Sequence, residues 1–165
     1  MIDRQIEKEI LLLKNEFPII AILGPRQSGK TTLSQKVFPQ YEYVSMEDMD
    51  IREYAENDPR GFLNRYKKNV IFDEIQRTPT LISYLQTHVD KYKENGKIVI
   101  TGSHNFLLME QISQSLAGRA GITKLLPFSY EELKLFENNL SEILFKGTYP
   151  RIYDQNIRSE VFYKN

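Results

Sequence analysis

The chain has 165 residues, of which 41% are hydrophobic and 27% charged, a composition typical of one soluble globular domain. Its 22 Lys and Arg residues balance its 22 Asp and Glu residues, so no overall charge favours a nucleic-acid or membrane partner. Cys is absent, and His88 and His104 are the only histidines, which excludes disulfides, thiolate catalysis and Cys-based zinc sites. With no apolar run of about 18 residues and no signal-like N-terminus, we predict a cytoplasmic protein without a membrane partner.

Short apolar runs alternate with amphipathic segments along the whole chain. Strands are predicted at residues 17–23, 41–44, 70–72, 97–100 and 122–126. Helices are predicted at residues 2–14, 31–37, 47–57, 62–68, 81–92, 106–116 and from 129 onward. This alternation favours a parallel sheet covered by helices on both faces, with ligands bound at the carboxyl ends of the strands.

A phosphate-binding loop follows the first predicted strand. Residues 24–31 read G-P-R-Q-S-G-K-T, which fits the pattern G-x-x-x-x-G-K-[ST]. Gly24 and Gly29 allow backbone conformations in which successive amides point inward toward a polyphosphate. Lys30 is predicted to reach the β- and γ-phosphates, and the Thr31 hydroxyl to bind Mg²⁺. The same nucleotide-binding segment includes Pro25, Arg26, Gln27, Ser28 and Thr32.

An acidic pair, Asp73 and Glu74, ends the third predicted strand. Asp73 is expected to hold Mg²⁺, and Glu74 to act as the general base toward a water that attacks the γ-phosphate. Such a pair favours hydrolysis by water, and it argues against GTPases of the Ras kind, in which a Gln positions the water. The chain has no N-K-x-D motif, so we predict adenine rather than guanine as the base.

Small polar residues follow the fourth predicted strand. Ser103 is the first candidate to orient the water or sense phosphate, ahead of Thr101 and Asn105. The alternative is that Ser103 caps the next helix. His104 is interpreted as a polar loop residue rather than a catalyst.

Two arginines are candidates for phosphate contacts. Arg119 lies just ahead of the fifth predicted strand, where it can stabilise γ-phosphate charge in its own site or in a neighbour's. The alternative is that Arg119 caps the end of a helix. Arg26 either contacts a phosphate or a neighbouring subunit, or is solvated.

Together these motifs resemble the bacterial and archaeal predicted AAA+ superfamily ATPases, whose N-terminal ATPase domain usually precedes a C-terminal domain of unknown function. The segments that carry the resemblance are residues 24–32, 72–76, 101–103, 115–119 and 126–129. The resemblance implies an α/β P-loop NTPase three-layer sandwich, a parallel five-stranded sheet of order 5-1-4-3-2, and hydrolysis of ATP with Mg²⁺. It carries over Lys30 and Thr31 as phosphate-loop residues, Asp73 and Glu74 as the acidic pair, Ser103 as phosphate sensor and Arg119 as arginine finger.

The C-terminal segment is interpreted as the start of a connection to a second domain. Residues 145–150, F-K-G-T-Y-P, resemble the family's G-G-[FY]-P segment, although Lys146-Gly147-Thr148 departs from the double glycine. We therefore expect a P-loop ATPase domain over residues 1–140 and, over residues 141–165, the start of a linker to a missing C-terminal domain.

Several functions are compatible with these motifs. The leading hypothesis is an ATPase that binds ATP and ADP, as a homo-oligomer in which a neighbour supplies Arg119. The alternatives are an ATP-dependent switch or scaffold with little turnover, and a small-molecule kinase. DNA is a further candidate partner, because a local basic cluster interleaved with aromatic residues could neutralise phosphates and stack bases, although such a cluster is more commonly a solvated helix face. The cluster consists of Arg60, Phe62, Arg65, Tyr66, Lys67 and Lys68.

Overall fold

Five parallel strands form the centre of the protein in a computed structural model that describes residues 2–103, 105–134, 136–137 and 139–164. The strands are β1 (Ile19–Gly24), β2 (Glu42–Ser45), β3 (Val70–Asp73), β4 (Ile98–Ser103) and β5 (Ala120–Lys124). Their spatial order is β2-β3-β4-β1-β5, and every neighbouring pair is parallel. The predicted order 5-1-4-3-2 is therefore confirmed.

Helices of moderate length connect the strands. They are α1 (Glu7–Glu16), α2 (Lys30–Val37), α3 (Met49–Asn57), α4 (Pro59–Arg65), α5 (Pro79–Tyr92) and α6 (Phe106–Ser115). Four short helices follow β5, namely α7 (Tyr130–Leu133), α8 (Leu140–Lys146), α9 (Pro150–Asp154) and α10 (Ser159–Phe162). Within the described ranges, no helix combines the length and the apolar character that a membrane span requires.

The two faces of the sheet are covered by different helices. Along β1, Ile20 and Ile22 pack with α1 and α2, whereas the alternate residues Ile19, Ala21 and Leu23 pack toward α3–α6. All six residues of β1 are buried, because both faces of this central strand are covered. The predicted three-layer arrangement is confirmed.

Local hydrogen bonds account for two shifts in the predicted boundaries. The helix predicted at residues 62–68 begins earlier, as α4, because Asp58 caps it through the Gly61 amide and Pro59 is its first residue. The fifth strand begins at Ala120, two residues earlier than predicted, and Ile19 donates a hydrogen bond to the Arg119 carbonyl beside it.

A small apolar cluster joins the N-terminal segment to the short helices that follow β5. Ile2 packs with Phe128, Leu133 and Ile143, and all four side chains are buried. The boundary predicted between residues 140 and 141 therefore falls inside α8, whose Ile143 packs onto the preceding domain. A second domain following this segment stays a prediction.

Candidate functional site

The phosphate-binding loop joins the carboxyl end of β1 to α2, and its two glycines have different physical roles. Gly29 has a φ of 91°, a left-handed conformation that favours glycine. A Cβ on Gly24 would overlap the carbonyl oxygen of Leu125, so this position requires glycine because the segment after β5 passes close to it. Gln27 is also left-handed, with a φ of 62°. The predicted special backbone conformation is therefore found at Gly29. At Gly24, glycine is required because there is no space for a side chain.

Lys30 is the first residue of α2 and is only 5% exposed. Its Nζ donates to the carbonyl oxygens of Gly24 at 3.2 Å and Pro25 at 2.9 Å, so the ammonium lies over the loop. Burial lowers the pKa of Lys30 below its usual value, while the nearby carboxylates of Glu74 and Asp73 oppose that shift. A buried cation surrounded by backbone dipoles is suited to bind phosphate oxygens.

Asp73, at the end of β3, accepts three side-chain hydrogen bonds. The Thr31 hydroxyl donates to Oδ2 at 2.9 Å and the Tyr43 hydroxyl donates to the same oxygen at 2.7 Å, while the Thr101 hydroxyl donates to Oδ1. The structure thus brings together Thr31 and Asp73, the two residues predicted to bind Mg²⁺. A carboxylate and a hydroxyl at a phosphate loop are an oxygen donor set that fits Mg²⁺, which keeps most of its waters.

Tyr43 and Thr101 acquire roles that sequence reasoning missed. Tyr43 was predicted only as part of a strand, and Thr101 as an alternative phosphate sensor. Burial, together with the hydrogen bond to Asp73, raises the pKa of Tyr43 above its usual value, so this hydroxyl stays a donor at neutral pH. The predicted strand order already sets β2 and β4 on either side of β3, but it does not determine which of their side chains reach Asp73.

Glu74 and Ser103 lie at the same edge of the sheet as the phosphate loop. Glu74 has a φ of 56°, and its amide donates to the Thr101 hydroxyl at 3.4 Å. Ser103 ends β4 directly opposite Gly24 in the strand register. The Ser103 hydroxyl is buried and has no hydrogen-bond partner among the described residues, as is also true of the Ser28 hydroxyl. Unpartnered buried hydroxyls in this place fit a site that a phosphate or water completes.

The remaining loop candidates are more exposed. Arg26, Gln27 and Thr32 are exposed, and the first two line a cavity of about 520 Å³ together with Tyr149 and Arg151. Asn105, the third candidate sensor, caps α6 by accepting from the Leu108 amide at 2.8 Å. His104 lies outside the described residues.

Arg119 lies at the opposite edge of the sheet. Its carbonyl accepts from the Ile19 amide at the amino end of β1, whereas the phosphate loop begins at the carboxyl end. Six strand residues separate these edges by about 20 Å. The guanidinium binds Asp90 through two contacts, at 2.7 and 2.8 Å, and also donates to the Ala117 carbonyl. Arg119 therefore cannot reach the phosphate loop of its own chain. A contact between Arg119 and the phosphate site of a neighbouring copy stays a prediction.

Arg4 is a further residue that sequence reasoning missed, and it contacts the phosphate loop from the side of the N-terminal segment. Its guanidinium donates to the carbonyl oxygens of Ser28 at 3.0 Å and Leu126 at 2.6 Å, and to a Glu132 carboxylate oxygen at 3.2 Å. The side chains of Arg4 and Glu132 are 9% and 6% exposed. Arg4 thus connects the N-terminal segment, the phosphate loop and the segment after β5.

The aromatic members of the basic cluster belong to the core. Phe62 is fully buried and Tyr66 is 5% exposed, and both rings pack against Phe72 of β3. The prediction that these rings could stack bases is therefore wrong, because they fill the space between α4 and the sheet. The basic residues alone remain on the surface, as expected for a solvated helix face.

Comparisons with known proteins agree with this architecture. The family model described as an AAA domain matches residues 16–134. An uncharacterized protein of Mycobacterium bovis is 34% identical over 111 residues, which are 66% of this chain and 25% of that protein. An uncharacterized protein of Methanocaldococcus jannaschii is 28% identical over 192 residues, covering 98% of this chain and 42% of that protein. The chain thus spans less than half the length of these relatives.

Two solved structures share the fold. DnaA from Aquifex aeolicus, bound to AMPPCP, has a TM-score of 0.60 and 17% identity, covering 92% of this chain and 57% of its own. The Walker-type ATPase PABY2304 of Pyrococcus abyssi has a TM-score of 0.61 and 16% identity, covering 97% of this chain and 70% of its own. Together with the strand order, these similarities confirm the predicted P-loop NTPase fold.

Proposed function

Because this chain belongs to the AAA domain family, we propose that it binds ATP with Mg²⁺ and hydrolyses the γ-phosphate bond. The observation that carries the proposal is the convergence of five predicted residues at one edge of the sheet. They are Lys30, Thr31, Asp73, Glu74 and Ser103. A buried cation, a metal-binding oxygen pair and a carboxylate at a phosphate loop are the groups that phosphoryl transfer to water requires.

Each residue has a distinct role in the proposed binding step. The backbone of residues 24–29 and the first amides of α2 receive the phosphates, and Lys30 neutralises their charge. Thr31 and Asp73 would hold Mg²⁺, which neutralises further phosphate charge when it is bound. The Thr31 hydroxyl donates its proton to Asp73, and its oxygen keeps the lone pairs with which it would bind the metal.

Glu74 accepts a proton in the proposed hydrolytic step. The water oxygen forms a bond to the γ-phosphorus, and the bond between that phosphorus and the bridging oxygen breaks, with its electron pair leaving on ADP. The water's proton passes to the Glu74 carboxylate. The Ser103 hydroxyl, opposite Gly24, is available to the phosphate that is transferred.

The test combines calorimetric binding of ATP and Mg²⁺ with measurement of phosphate release. We expect Lys30→Ala to weaken ATP binding at least about tenfold, because a charge-assisted phosphate contact is lost. We expect Glu74→Gln to bind ATP normally and to lower kcat by about 100-fold or more, because the base is removed. Lys36→Ala is the matched control, since Lys36 lies on the same helix and pairs instead with Asp3 and Glu7.

Three outcomes would contradict all or part of this assignment. Equal turnover by the wild type and Glu74→Gln would remove Glu74 as the base. Binding of ATP without phosphate release at any protein concentration would support the nucleotide-dependent switch. The position of Arg119 favours this second candidate for a single copy of the chain, because its own site lacks that arginine. ATP consumption that requires an added acceptor would support the kinase.

A further inference from the structure

The short 3₁₀ turn over Ile75–Arg77 follows the acidic pair and contains Gln76, a polar residue to which the proposed function assigns no role. We infer that Gln76 is a positioning residue, which orients the Glu74 carboxylate and holds the attacking water beside it. Because Gln76 is assigned a part in the proposed hydrolysis, its role rests on that proposed function.

The backbone at Glu74 brings the two side chains together. Glu74 is left-handed, with a φ of 56° and a ψ of 45°, and the 3₁₀ turn begins at the next residue. As a result, the Gln76 side-chain amide donates a hydrogen bond to Oε2 of Glu74. An ionised carboxylate can only accept, so the amide nitrogen faces Glu74 and the amide oxygen faces away.

The amide oxygen of Gln76 lies toward β4 without a partner. Oε1 of Gln76 is buried and accepts no hydrogen bond from any described residue. A Cβ built on Gly102 would be 2.5 Å from this oxygen, so Oε1 rests against Gly102, the neighbour of Ser103. The Ser103 hydroxyl is the other buried polar group on this strand end that has no partner within the described ranges. Buried acceptors of this kind are normally satisfied by a water or a ligand.

This arrangement matches the hydrogen-bonding needs of an attacking water. A water has two O–H groups, and it can donate one to the Glu74 carboxylate and the other to Oε1 of Gln76. Its lone pair is then free to face the phosphate that the neighbouring loop binds. The proton donated to Glu74 is the one that is transferred, while Gln76 fixes the other and undergoes no chemical change.

The amide of Gln76 supplies two properties that a carboxylate lacks. It donates to Glu74 through nitrogen and accepts from water through oxygen, whereas a Glu at the same position can donate nothing when ionised and repels Glu74. Glycine at position 102 is also required, because the amide oxygen occupies the space that a side chain would fill. Two sequence positions on different elements therefore define one water site.

The test measures kcat, KM and ATP affinity for Gln76→Ala, Gln76→Glu and Gly102→Ala. We expect each to lower kcat by about 10- to 100-fold while ATP binding changes less than about twofold, because the water and not the nucleotide loses its contacts. Gly102→Ala keeps the Gln76 side chain and displaces its amide, together with a methyl group of Leu108, so it tests the geometry separately. The matched control is Gln114→Ala, which removes an exposed Gln–Glu hydrogen bond on α6.

A second readout does not depend on turnover. The complex of ADP, Mg²⁺ and fluoroaluminate imitates the phosphate during its transfer to water, and we expect Gln76→Ala to weaken its formation about tenfold without changing ADP binding. Gln76→Ala with wild-type kcat, faster turnover or wild-type fluoroaluminate binding would overturn the role of Gln76. Wild-type protein that releases no phosphate would instead contradict the proposed hydrolysis, and fluoroaluminate binding would still test Gln76.

Discussion

At the scale of single residues, the Tyr43 hydroxyl helps to fix the orientation of the Asp73 carboxylate. Tyr43 and Thr31 donate to the same oxygen, Oδ2, so this oxygen is already aimed at the phosphate loop before any ligand arrives. Hydrogen bonds that orient a metal-binding carboxylate typically change metal affinity by about 10- to 100-fold when they are removed. Tyr43 should therefore matter to Mg²⁺ more than to the nucleotide alone.

We expect Tyr43→Phe to raise the Mg²⁺ concentration that gives half-maximal ATP binding by about tenfold, because one donor to Asp73 is lost while the aromatic ring remains. Calorimetric titration of ATP at several Mg²⁺ concentrations measures the change. Tyr92→Phe serves as the control, since Tyr92 is exposed and stacks on His88, away from Asp73. An unchanged Mg²⁺ requirement in Tyr43→Phe would contradict an orienting role.

Sequence alone was sufficient to place the phosphate loop and the acidic pair but not their hydrogen-bond partners. Lys30 and Thr31 are identified by a contiguous motif, and Asp73 by its position after an apolar strand. Tyr43 and Thr101 meet Asp73 because β2 and β4 lie on either side of β3, and the predicted strand order alone does not determine which of their side chains reach the carboxylate. Gln76 belongs to the segment at residues 72–76 that carries the family resemblance. Its contact with Glu74 depends on the left-handed backbone of Glu74, which the sequence does not indicate.

At the scale of elements, Arg4 holds three separate segments against one another. Its guanidinium contacts the phosphate loop, the segment after β5 and Glu132 near the end of α7. Glu132 in turn accepts from the amides of Gln5 and Ser129, so both charges are surrounded by partners. Removing one member of such a buried pair leaves the other charge without compensation.

We expect Arg4→Met to lower the free energy of unfolding by about 3 kcal/mol, as is typical when one partner of a buried ion pair is lost. Adding Glu132→Gln to Arg4→Met should recover part of that loss, because no buried charge then remains. Urea denaturation of the single and double variants measures both effects. Lys36→Met is the control, since its ion pair with Asp3 is exposed to solvent and should contribute far less.

An equal loss of stability for Arg4→Met and Lys36→Met would contradict the stabilising role of the Arg4–Glu132 ion pair.

The contact between Arg4 and Glu132 could not be anticipated from the pattern of residues, because Arg4 precedes α1 and Glu132 lies 128 positions away. The amphipathic patterns located the helices well, since they reflect local burial. Contacts between distant chain segments depend instead on how those helices pack.

At the scale of the whole molecule, the sheet separates Arg119 from the phosphate loop of the same chain. The guanidinium is 29% exposed and lies at the amino edge, bound to Asp90 of α5. A nucleotide bound in another copy of the chain is thus the one proposed target that the position of Arg119 permits. Activity would then depend on contact between copies.

We expect Arg119→Ala and Glu74→Gln to be inactive separately, each with turnover at least about 100-fold below the wild type, and to regain activity when mixed. In the mixture, the Glu74→Gln copy supplies Arg119 to the intact site of the other copy. Phosphate release per protein should also rise with wild-type concentration. Arg65→Ala is the control, since Arg65 is an exposed residue on α4. Full activity of Arg119→Ala alone would exclude a role in either copy.

The central place of β1 in the sheet has a consequence for the order in which the domain can fold during translation. Of the five described strands, β1 is translated first, yet its partners among them are β4 and β5, at residues 98–103 and 120–124. β2 and β3 can pair with each other much sooner, because fewer residues separate them. The phosphate loop therefore lies at the end of an unpaired strand until β4 has been translated. Because the proposed site also includes Asp73 and Ser103, nucleotide would stabilise the nascent chain only after β4 has emerged beside β1, which is late in the folding of the domain.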